Sequence, residues 1–194
     1  MKSKIREAQN ELTEGRVCNA FLDLLSEKDL GKITVRDVCE RAIISRGTFY
    51  LHFRDINDLL ESINSWYISR AMPYYQMEFD SFGVVNDEEK FREGVTGHLQ
   101  ILASWPKYAV TIFGRNLCPW VFDEIMSICR DKMRARLAEL GGPVDAEKSE
   151  YEFVYGASGV QGIMKKWCQD GLRVPVSVIT EYIVKAVQQN NPAE

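Results

Sequence analysis

Two helix start signals lie close together within residues 33–53, and this run constrains the fold more than any other part of the chain. Thr34 is followed three residues later by Asp37, which is the spacing of a capping box, where the two residues satisfy free backbone N–H groups. Ser45 is a second N-cap residue, only a few positions after the first helical segment. The run therefore predicts two short helices joined by a tight turn.

Each of these predicted helices has one apolar face. The apolar positions of the first helix follow a helical period: Val35, Val38, Cys39 and Ala42. In the second helix, Phe49 and Phe53 are four residues apart and lie on one side. The outward positions of the second helix are small residues or hydrogen-bond donors, and none of them is acidic: Arg46, Gly47, Thr48, Tyr50 and His52. A short helix with such a surface suits the major groove and its phosphate walls, so the pattern predicts a helix-turn-helix that binds DNA.

The same residues resemble the DNA-binding domain of the TetR family of transcriptional regulators. The similar run reads T-V-R-D-V-C-E-R-A and then S-R-G-T-F-Y-L-H-F-R-D, followed by Leu59-Leu60, and it covers roughly residues 4 to 65. One position departs from the family pattern, because Ile43 stands in the turn where the family usually has Gly or a polar residue. A β-branched residue in a left-handed conformation costs about 1–2 kcal/mol. Either the turn has a different geometry, or packing of Ile43 offsets the strain.

The hydrophobic periodicity predicts an all-α protein with two domains. The N-terminal three-helix, helix-turn-helix DNA-binding domain is expected at residues 1–54. A larger helical domain for regulation, ligand binding and dimerisation is expected at 55–194, and it starts with a connecting helix over 55–72 that Pro73 stops or kinks. The first helix is expected from 3 to 28. Further helices are expected after the connecting helix: 87–104, a short piece near 105–113, 119–140, 147–170 and 175–189.

Charge is divided unevenly along the chain. The formal net charge is −4, but residues 1–54 contain ten Lys/Arg and eight Asp/Glu, whereas residues 55–194 contain fourteen and twenty. The positive part coincides with the helix-turn-helix, where phosphates must be contacted. The five cysteines include no C-x-x-C pair, which is typical of reduced thiols in the cytosol. No apolar run approaches the ~20 residues needed to cross a bilayer, so we expect a cytoplasmic protein without a membrane partner.

The predicted DNA contacts fall into two groups. Base edges or adjacent phosphates are within reach of three side chains on the second helix: Arg46, Thr48 and Tyr50. Gly47 allows the helix backbone to approach the DNA closely. Phosphate contacts are expected from the residues around them: Thr34, Arg36, Ser45, His52 and Arg54.

Three glycines recur at every third position near the end of the chain, at 156, 159 and 162. Glycine inside a helix costs about 0.5–1 kcal/mol per residue, so another helix backbone or a ligand is expected close to this face. The alternative is that the glycines only help to pack the core of one chain. The run Y-G-A-S-G-V-Q-G-I-M-K-K-W-C-Q-D-G resembles the C-terminal domain of TetR-type regulators from Firmicutes, whose last two helices dimerise. The glycine face, an apolar stripe on the last helix and this resemblance together predict a dimer interface, which is formed by the following residues: Gly156, Gly159, Ile163, Trp167, Ile179, Ile183 and Val187.

Aromatic residues are concentrated after residue 54, where seventeen of the twenty-one lie, including all four Trp. Regulators that resemble this chain usually bind a small molecule in that region, and an aromatic-rich site would suit an apolar or planar ligand. The candidate pocket residues are Trp66, Tyr67, Tyr74, Trp105, Tyr108, Phe113, Trp120 and Phe122. The alternative for each of them is a place in the ordinary core.

The resemblance implies a homodimeric regulator that binds a palindromic operator in double-stranded DNA, acts as a repressor and responds to a small-molecule effector. One alternative is a TetR-like co-activator or co-regulator that acts through a protein partner. Another is a thiol-based redox sensor. An enzyme is not expected, because the chain has two histidines and no nucleophile elbow, phosphate loop or metal-ligand cluster. No cofactor and no metal are expected.

Overall fold

The structure is a computed structural model that describes residues 2–81, 88–140 and 146–189. All of its regular elements are helices, as the sequence predicted. The chain forms two compact units, Met1–Trp66 and Tyr67–Glu194, and the fourth α-helix contributes residues to both. Compactness alone does not test the domain boundary expected between residues 54 and 55, which stays a prediction.

The first unit contains three helices and the start of a fourth. They are α1 (Lys2–Glu27), a 3₁₀ turn (Leu30–Lys32), α2 (Val35–Ala42), α3 (Arg46–His52) and the first residues of α4 (Ile56–Ser81). Helix α1 packs against α2, and α2 packs against α3. The core is built from apolar residues of all four helices, among them Phe21, Leu25, Val38, Phe49 and Leu59. The two short helices therefore form around the apolar faces that the sequence predicted.

Helix α2 begins at the predicted capping box. The Thr34 hydroxyl accepts a hydrogen bond from the backbone N–H of Asp37 at 3.2 Å, and the Asp37 carboxylate accepts one from the backbone N–H of Thr34 at 2.8 Å. Lys28 lies 2.9 Å from the same carboxylate. Lys28 first, and then the bonds from Thr34, hold the pKa of Asp37 well below its usual range. The cap is therefore ionised at neutral pH and ties the end of α1 to the start of α2.

The turn between α2 and α3 is left-handed at Ile43, with φ 56° and ψ 55°. The side chain of Ile43 is 83% exposed, so packing does not offset the strain of this conformation. Hydrogen bonds hold the turn in place of packing. The Arg16 guanidinium of α1 donates to the carbonyl oxygens of Ala42, at 2.5 Å, and Ile43, at 3.0 Å. Backbone hydrogen bonds close the same turn, from the Ile43 N–H to Glu40 at 3.3 Å and from the Ile44 N–H to Cys39 at 3.0 Å. Both alternatives expected from the sequence are thus corrected, because the turn is left-handed and is held by hydrogen bonds.

Helix α4 continues through Pro73, which was expected to stop or kink it at about residue 72, and ends at Ser81. A proline inside a helix removes one backbone hydrogen bond and strains the preceding turn. Here the turns on both sides of Pro73 are anchored by burial, since Tyr67, Ala71 and Tyr75 lie four residues apart and are all buried in the second unit. The sequence around the proline does not show that these side chains are buried. Their burial stabilises the helix on both sides of Pro73, so α4 continues beyond its expected end.

The second unit contains the other helices of the described chain. They are α5 (Glu88–Ser104), α6 (Pro106–Tyr108) continued by a π-helix (Ala109–Gly114), α7 (Pro119–Leu140), α8 (Ala146–Gln169) and α9 (Val176–Gln189). Helix α9 packs against α5 and α8, and α8 also packs against the π-helix. The helices expected from the sequence are present here within one or two residues at each end. The first residue of the one predicted from residue 87 lies outside the described residues.

The short helical piece expected near 105–113 is present as α6 and the π-helix that continues it. Gly114 ends it against α8, where an added Cβ would lie 3.2 Å from both the Cys168 side chain and the backbone of Gln169. The Gln169 side-chain amide donates to the carbonyl oxygen of Gly114 at 3.0 Å. Asn116 then adopts a left-handed conformation, with φ 54°. The wide π turn is thus fixed at its C-terminal end by contacts with α8.

Candidate nucleic-acid interface

Helix α3 begins with a hydrogen-bonded cap made from two of the predicted DNA-binding residues. The Ser45 hydroxyl accepts a hydrogen bond from the backbone N–H of Thr48 at 3.0 Å and shares a second one with the Thr48 hydroxyl at 2.8 Å. Phe49 is buried on the opposite side of the helix. The cap fixes the first turn of α3 so that its outward residues have a defined orientation.

Arg46 and Tyr50 lie one helical turn apart on the outward side of α3. The Arg46 guanidinium donates to the Tyr50 hydroxyl at 3.3 Å, and its Cζ is 5.9 Å from the centre of the Tyr50 ring. This hydrogen bond raises the pKa of Arg46 above its already high value, so the side chain stays protonated. The pairing aligns the planar guanidinium with the aromatic ring and leaves further N–H groups for base edges or phosphates.

The predicted residue His52 has a different role from the one expected. Its side chain is only 9% exposed, and its Nδ1 lies 3.1 Å from Glu14 Oε1 of α1. His52 therefore turns toward α1 and does not belong to the outward donor surface of α3. Sequence reasoning placed it outward because its partner lies 38 positions away in the chain.

Leu51 is exposed on α3 and was not among the predicted contacts. It is 83% exposed and lies four residues after Gly47, on the same side of the helix. A side chain at Gly47 would meet only the Ser45 hydroxyl, at 3.6 Å. The surface of α3 consequently combines an open position, an apolar side chain and the Arg46–Tyr50 pair. The helical period alone indicates that Leu51 is exposed, because residues two positions apart in a helix point to nearly opposite sides and Phe49 is buried.

The two outlying arginines of the predicted surface form exposed ion pairs within their own helical turns. Arg36 pairs with Glu40 at 2.7 Å and Arg54 with Asp58 at 2.8 Å. The Arg54 side chain lowers the pKa of Asp58 through its hydrogen bond. The Arg36–Glu40 pair is exposed on both sides and contributes little to stability, so a phosphate can replace that carboxylate at small cost. Asp58 is only 21% exposed and also accepts a hydrogen bond from the backbone N–H of Arg54 at 2.8 Å. Thr34, by contrast, already uses its hydroxyl and its backbone N–H in the capping box.

The predicted aromatic pocket is partly present in the second unit. The unit contains a cavity of about 20 Å³, which has room for about one water molecule. Four of the eight predicted pocket residues line this cavity: Tyr67, Tyr108, Phe113 and Phe122. Trp66 belongs to the first unit, and Trp105 stacks on Tyr108 with ring centres 5.1 Å apart. The Tyr74 ring covers Gly97, while Trp120 is exposed and does not line the cavity. The cavity wall also includes Tyr75, another aromatic residue of the same region.

The predicted interface residues are divided between interior and surface. Trp167, Ile179 and Ile183 are buried inside the second unit, so they pack one chain and offer no surface. Added Cβ atoms at Gly159 and Gly162 would meet no described atom within 4 Å. These two glycines therefore do not pack the core, which was the alternative. Gly156, Ile163 and Val187 are half-buried.

The described residues contain no group of three His, Cys, Asp or Glu side chains able to hold a metal ion. Across residues 2–81, 88–140 and 146–189, no helix has the length and apolarity needed to cross a membrane.

Comparison with known proteins connects this geometry to a family. The family model described as bacterial regulatory proteins, tetR family, matches residues 19–63. The uncharacterized HTH-type transcriptional regulator YxbF of Bacillus subtilis (strain 168) is 36% identical over 53 residues, which make up 27% of this chain and 14% of that protein. The chain thus matches about a seventh of the length of this relative. The predicted family resemblance is confirmed.

Two solved structures share the fold over nearly the whole chain. The fatty acid degradation regulator FadR from Bacillus halodurans gives a TM-score of 0.68 at 14% identity, with 94% of this chain and 97% of that chain covered. A TetR transcriptional regulator from Streptococcus agalactiae 2603V gives 0.56 at 22% identity, with coverage of 95% and 98%. At these identities the two structures support the fold alone, which is the predicted helix-turn-helix domain followed by a larger helical domain.

Replacing Arg46 by Ala tests the outward surface of α3. We expect operator affinity to fall by about tenfold to a hundredfold, because one good base-edge contact discriminates by that amount. Affinity for random DNA should change only a few-fold. Fluorescence anisotropy with both duplexes measures the two affinities. Lys32→Ala, which removes one charge from the same unit outside α3, is the matched control. Equal losses on operator and random DNA after Arg46→Ala would contradict a base-reading role.

Proposed function

We propose that the chain is a DNA-binding transcriptional regulator of the TetR type and, more specifically, a homodimeric repressor of a palindromic operator that a small molecule releases; the family model matches residues 19–63, which form most of the DNA-binding unit. The single observation that carries this proposal is the outward surface of α3. That surface presents Arg46 paired with Tyr50 beside the open position at Gly47, on a helix without an acidic residue. In the proposal, α3 enters the major groove and Arg36 and Arg54 contact phosphates on either side. DNA as the partner implies action in the cytoplasm.

We propose a dimer surface on α8 and α9 that differs in part from the one expected from sequence. Exposed aromatic residues lie on α8 at Tyr151 and Tyr155, and on α9 at Tyr182. Gly159 and Gly162 continue the α8 stripe at helical spacing and leave room for a second backbone. Aromatic residues are enriched in interfaces because they bury a large area at low entropic cost, which supports this choice of surface.

The proposed effector site is the cavity in the second unit. Helix α4 contributes Tyr67 and Tyr75 to the cavity wall and contributes its first turns to the DNA-binding unit. An effector bound there can release DNA only through different affinities for the DNA-bound and free states of the protein. We propose that α4 carries this difference between the two units.

A thiol-based redox sensor has less support than the ligand-responsive regulator proposed above. Burial raises the pKa of Cys18 to about 12 and that of Cys168 to about 12, and it also raises the pKa of Cys39. Cys118 and Cys129 are buried as well. Because the thiolate is the species that reacts, thiols with raised pKa values are poor sensors.

Selection of bound duplexes from a random DNA pool at low salt tests the proposed function. We expect enrichment of a palindrome whose half-sites lie about one turn of DNA apart, ~34–36 Å, because a two-fold dimer presents two copies of α3. Transcription from a promoter that carries the palindrome should fall when the protein is added and recover with the effector. A folded dimer that enriches no sequence would overturn the proposal and favour the co-regulator alternative, which acts through a protein partner.

Replacing Gly159 by Arg tests the dimer surface. An added Cβ at Gly159 meets no described atom within 4 Å, and the position is exposed, so we expect the helix content of the chain to be unchanged. The dissociation constant of the dimer should rise at least about tenfold, because a charged side chain would occupy the packed face of the interface. Sedimentation velocity measures the change. Gly15→Arg is the matched control, since Gly15 lies in α1 and is equally open. A Gly159→Arg protein that dimerises like the wild type would contradict the proposed surface.

A further inference from the structure

The cavity of the second unit changes in character from its bottom to its mouth. Its bottom is formed by buried side chains, chiefly Tyr67, Tyr108 and Ile112. Half-buried and exposed polar side chains surround the mouth: Asn116, Gln161 and Lys165. Lys165 is the one charged residue among the described residues that line the cavity, and none of them is acidic. A ligand group beside Lys165 therefore meets a positive charge and no acidic side chain among these lining residues.

The polar atoms at the bottom of the cavity are bound to one another. The Tyr67 hydroxyl shares a 2.6 Å hydrogen bond with Nε2 of the buried His98 and lies 3.5 Å from the Tyr75 hydroxyl. The Tyr67 ring also stacks on Tyr108, with centres 4.8 Å apart. Since these hydroxyls already have partners, a group that enters between the rings meets mainly apolar and aromatic surface.

The wall of the cavity includes the π-helix, which contributes Ile112 and Phe113. π-helices are rare and frequently mark functional sites. Its last carbonyl, at Gly114, accepts from Gln169 of α8, and Gln169 lies one helical turn after Lys165. The charged residue at the mouth and the anchor of the π-helix are thus on the same face of α8.

We propose that the cavity takes a small amphipathic anion, with an aromatic or similarly apolar group between the rings and a carboxylate bound by the Lys165 ammonium group. This inference rests on the proposed ligand response and names the chemical class of the ligand. The cavity has room for about one water molecule, so binding must widen it. Phe113 and Phe122 are half-buried wall residues whose rotation would do this.

Calorimetric titration with 3-phenylpropanoate and with the isosteric neutral 3-phenylpropanamide tests the inference on the full chain. We expect the carboxylate to bind the wild type about tenfold more tightly than the amide, which is the size of one charge-assisted hydrogen bond. Lys165→Met should remove the difference and keep the apolar stem. Lys166→Met is the control, because Lys166 pairs with Asp170 at 2.5 Å and does not line the cavity.

Each outcome separates the ligand class from the proposed function. Equal binding of the two probes, preference for the amide, or no binding of either at millimolar concentration would overturn the ligand class. A preference for the carboxylate that survives Lys165→Met would overturn the role of Lys165. Selective carboxylate binding that leaves the operator bound would support the ligand class, and it would overturn only the proposed link between this site and DNA release.

A second inference concerns Leu51, and it depends on a different observation. Leu51 is an 83% exposed leucine on the reading helix, in line with Gly47, where no side chain keeps the helix away from a neighbouring surface. The major groove offers one apolar group to a protein, the C5-methyl of thymine. We infer that Leu51 reads a thymine methyl in each half-site and so contributes to sequence preference.

Replacing thymine by uracil, one position at a time, in the duplex that the random pool yields tests this inference. Uracil lacks only the methyl group, so we expect about a fourfold loss of affinity at one thymine of each half-site, the value of one buried methyl. With Leu51→Ala, thymine and uracil should bind equally at that position. Leu12→Ala is the control, because Leu12 is 70% exposed on α1.

An enriched operator in which every thymine tolerates uracil would overturn the role of Leu51 and leave the proposed function intact. A response to uracil that persists in Leu51→Ala would assign the contact to another side chain. A protein that enriches no sequence reads no thymine, and this outcome would overturn both proposals.

Discussion

The left-handed turn at Ile43 is the constraint on which the DNA-binding unit depends. It sets the direction in which the chain leaves α2 and enters α3, so the orientation of Arg46 and Tyr50 follows from it. An exposed β-branched residue in this conformation costs about 1–2 kcal/mol and gains nothing from burial. Arg16 makes the turn stable, because its guanidinium donates to the carbonyl oxygens of Ala42 and Ile43. Helix α1 thereby fixes the reading helix through backbone atoms that any residue at position 43 would provide.

Structure that depends on neighbouring residues could be predicted from the sequence, and structure that depends on distant contacts could not. The caps at Thr34 and Ser45 appear where their spacing placed them, since each acts within three residues of itself. Pro73 shows the opposite case, because the burial of Ala71 and Tyr75 carries α4 past the proline. The π-helix was also out of reach, since Gly114 is held by Gln169, 55 positions away.

The same distinction applies to the candidate sites. The helical period correctly separates the exposed Tyr50 from the buried Phe49, but it could not show that His52 turns to Glu14. Leu51 was missed for another reason, because only small residues and hydrogen-bond donors were considered on the outward side of α3. Trp167 and Ile183 were assigned to an interface from the stripes on the last two helices and from the resemblance, and both are buried inside one chain. An apolar stripe on a terminal helix therefore does not distinguish a core from an interface.

Helix α8 brings three separate features onto one rigid element. Lys165 lies at the mouth of the cavity, Gln169 holds the π-helix that forms part of the cavity wall, and Tyr155 is exposed on the surface proposed for dimerisation. A ligand bound between Lys165 and the rings contacts α8 directly, and any rotation or shift of this helix moves all of its residues together, because a helix in a packed core moves as a unit. The same movement would reach the surface proposed for dimerisation, in addition to the change that α4 is proposed to carry. An effector in this cavity would therefore act on two helices, on α4 toward the DNA-binding unit and on α8 toward the proposed dimer surface, so its effect should depend on how tightly the dimer is held.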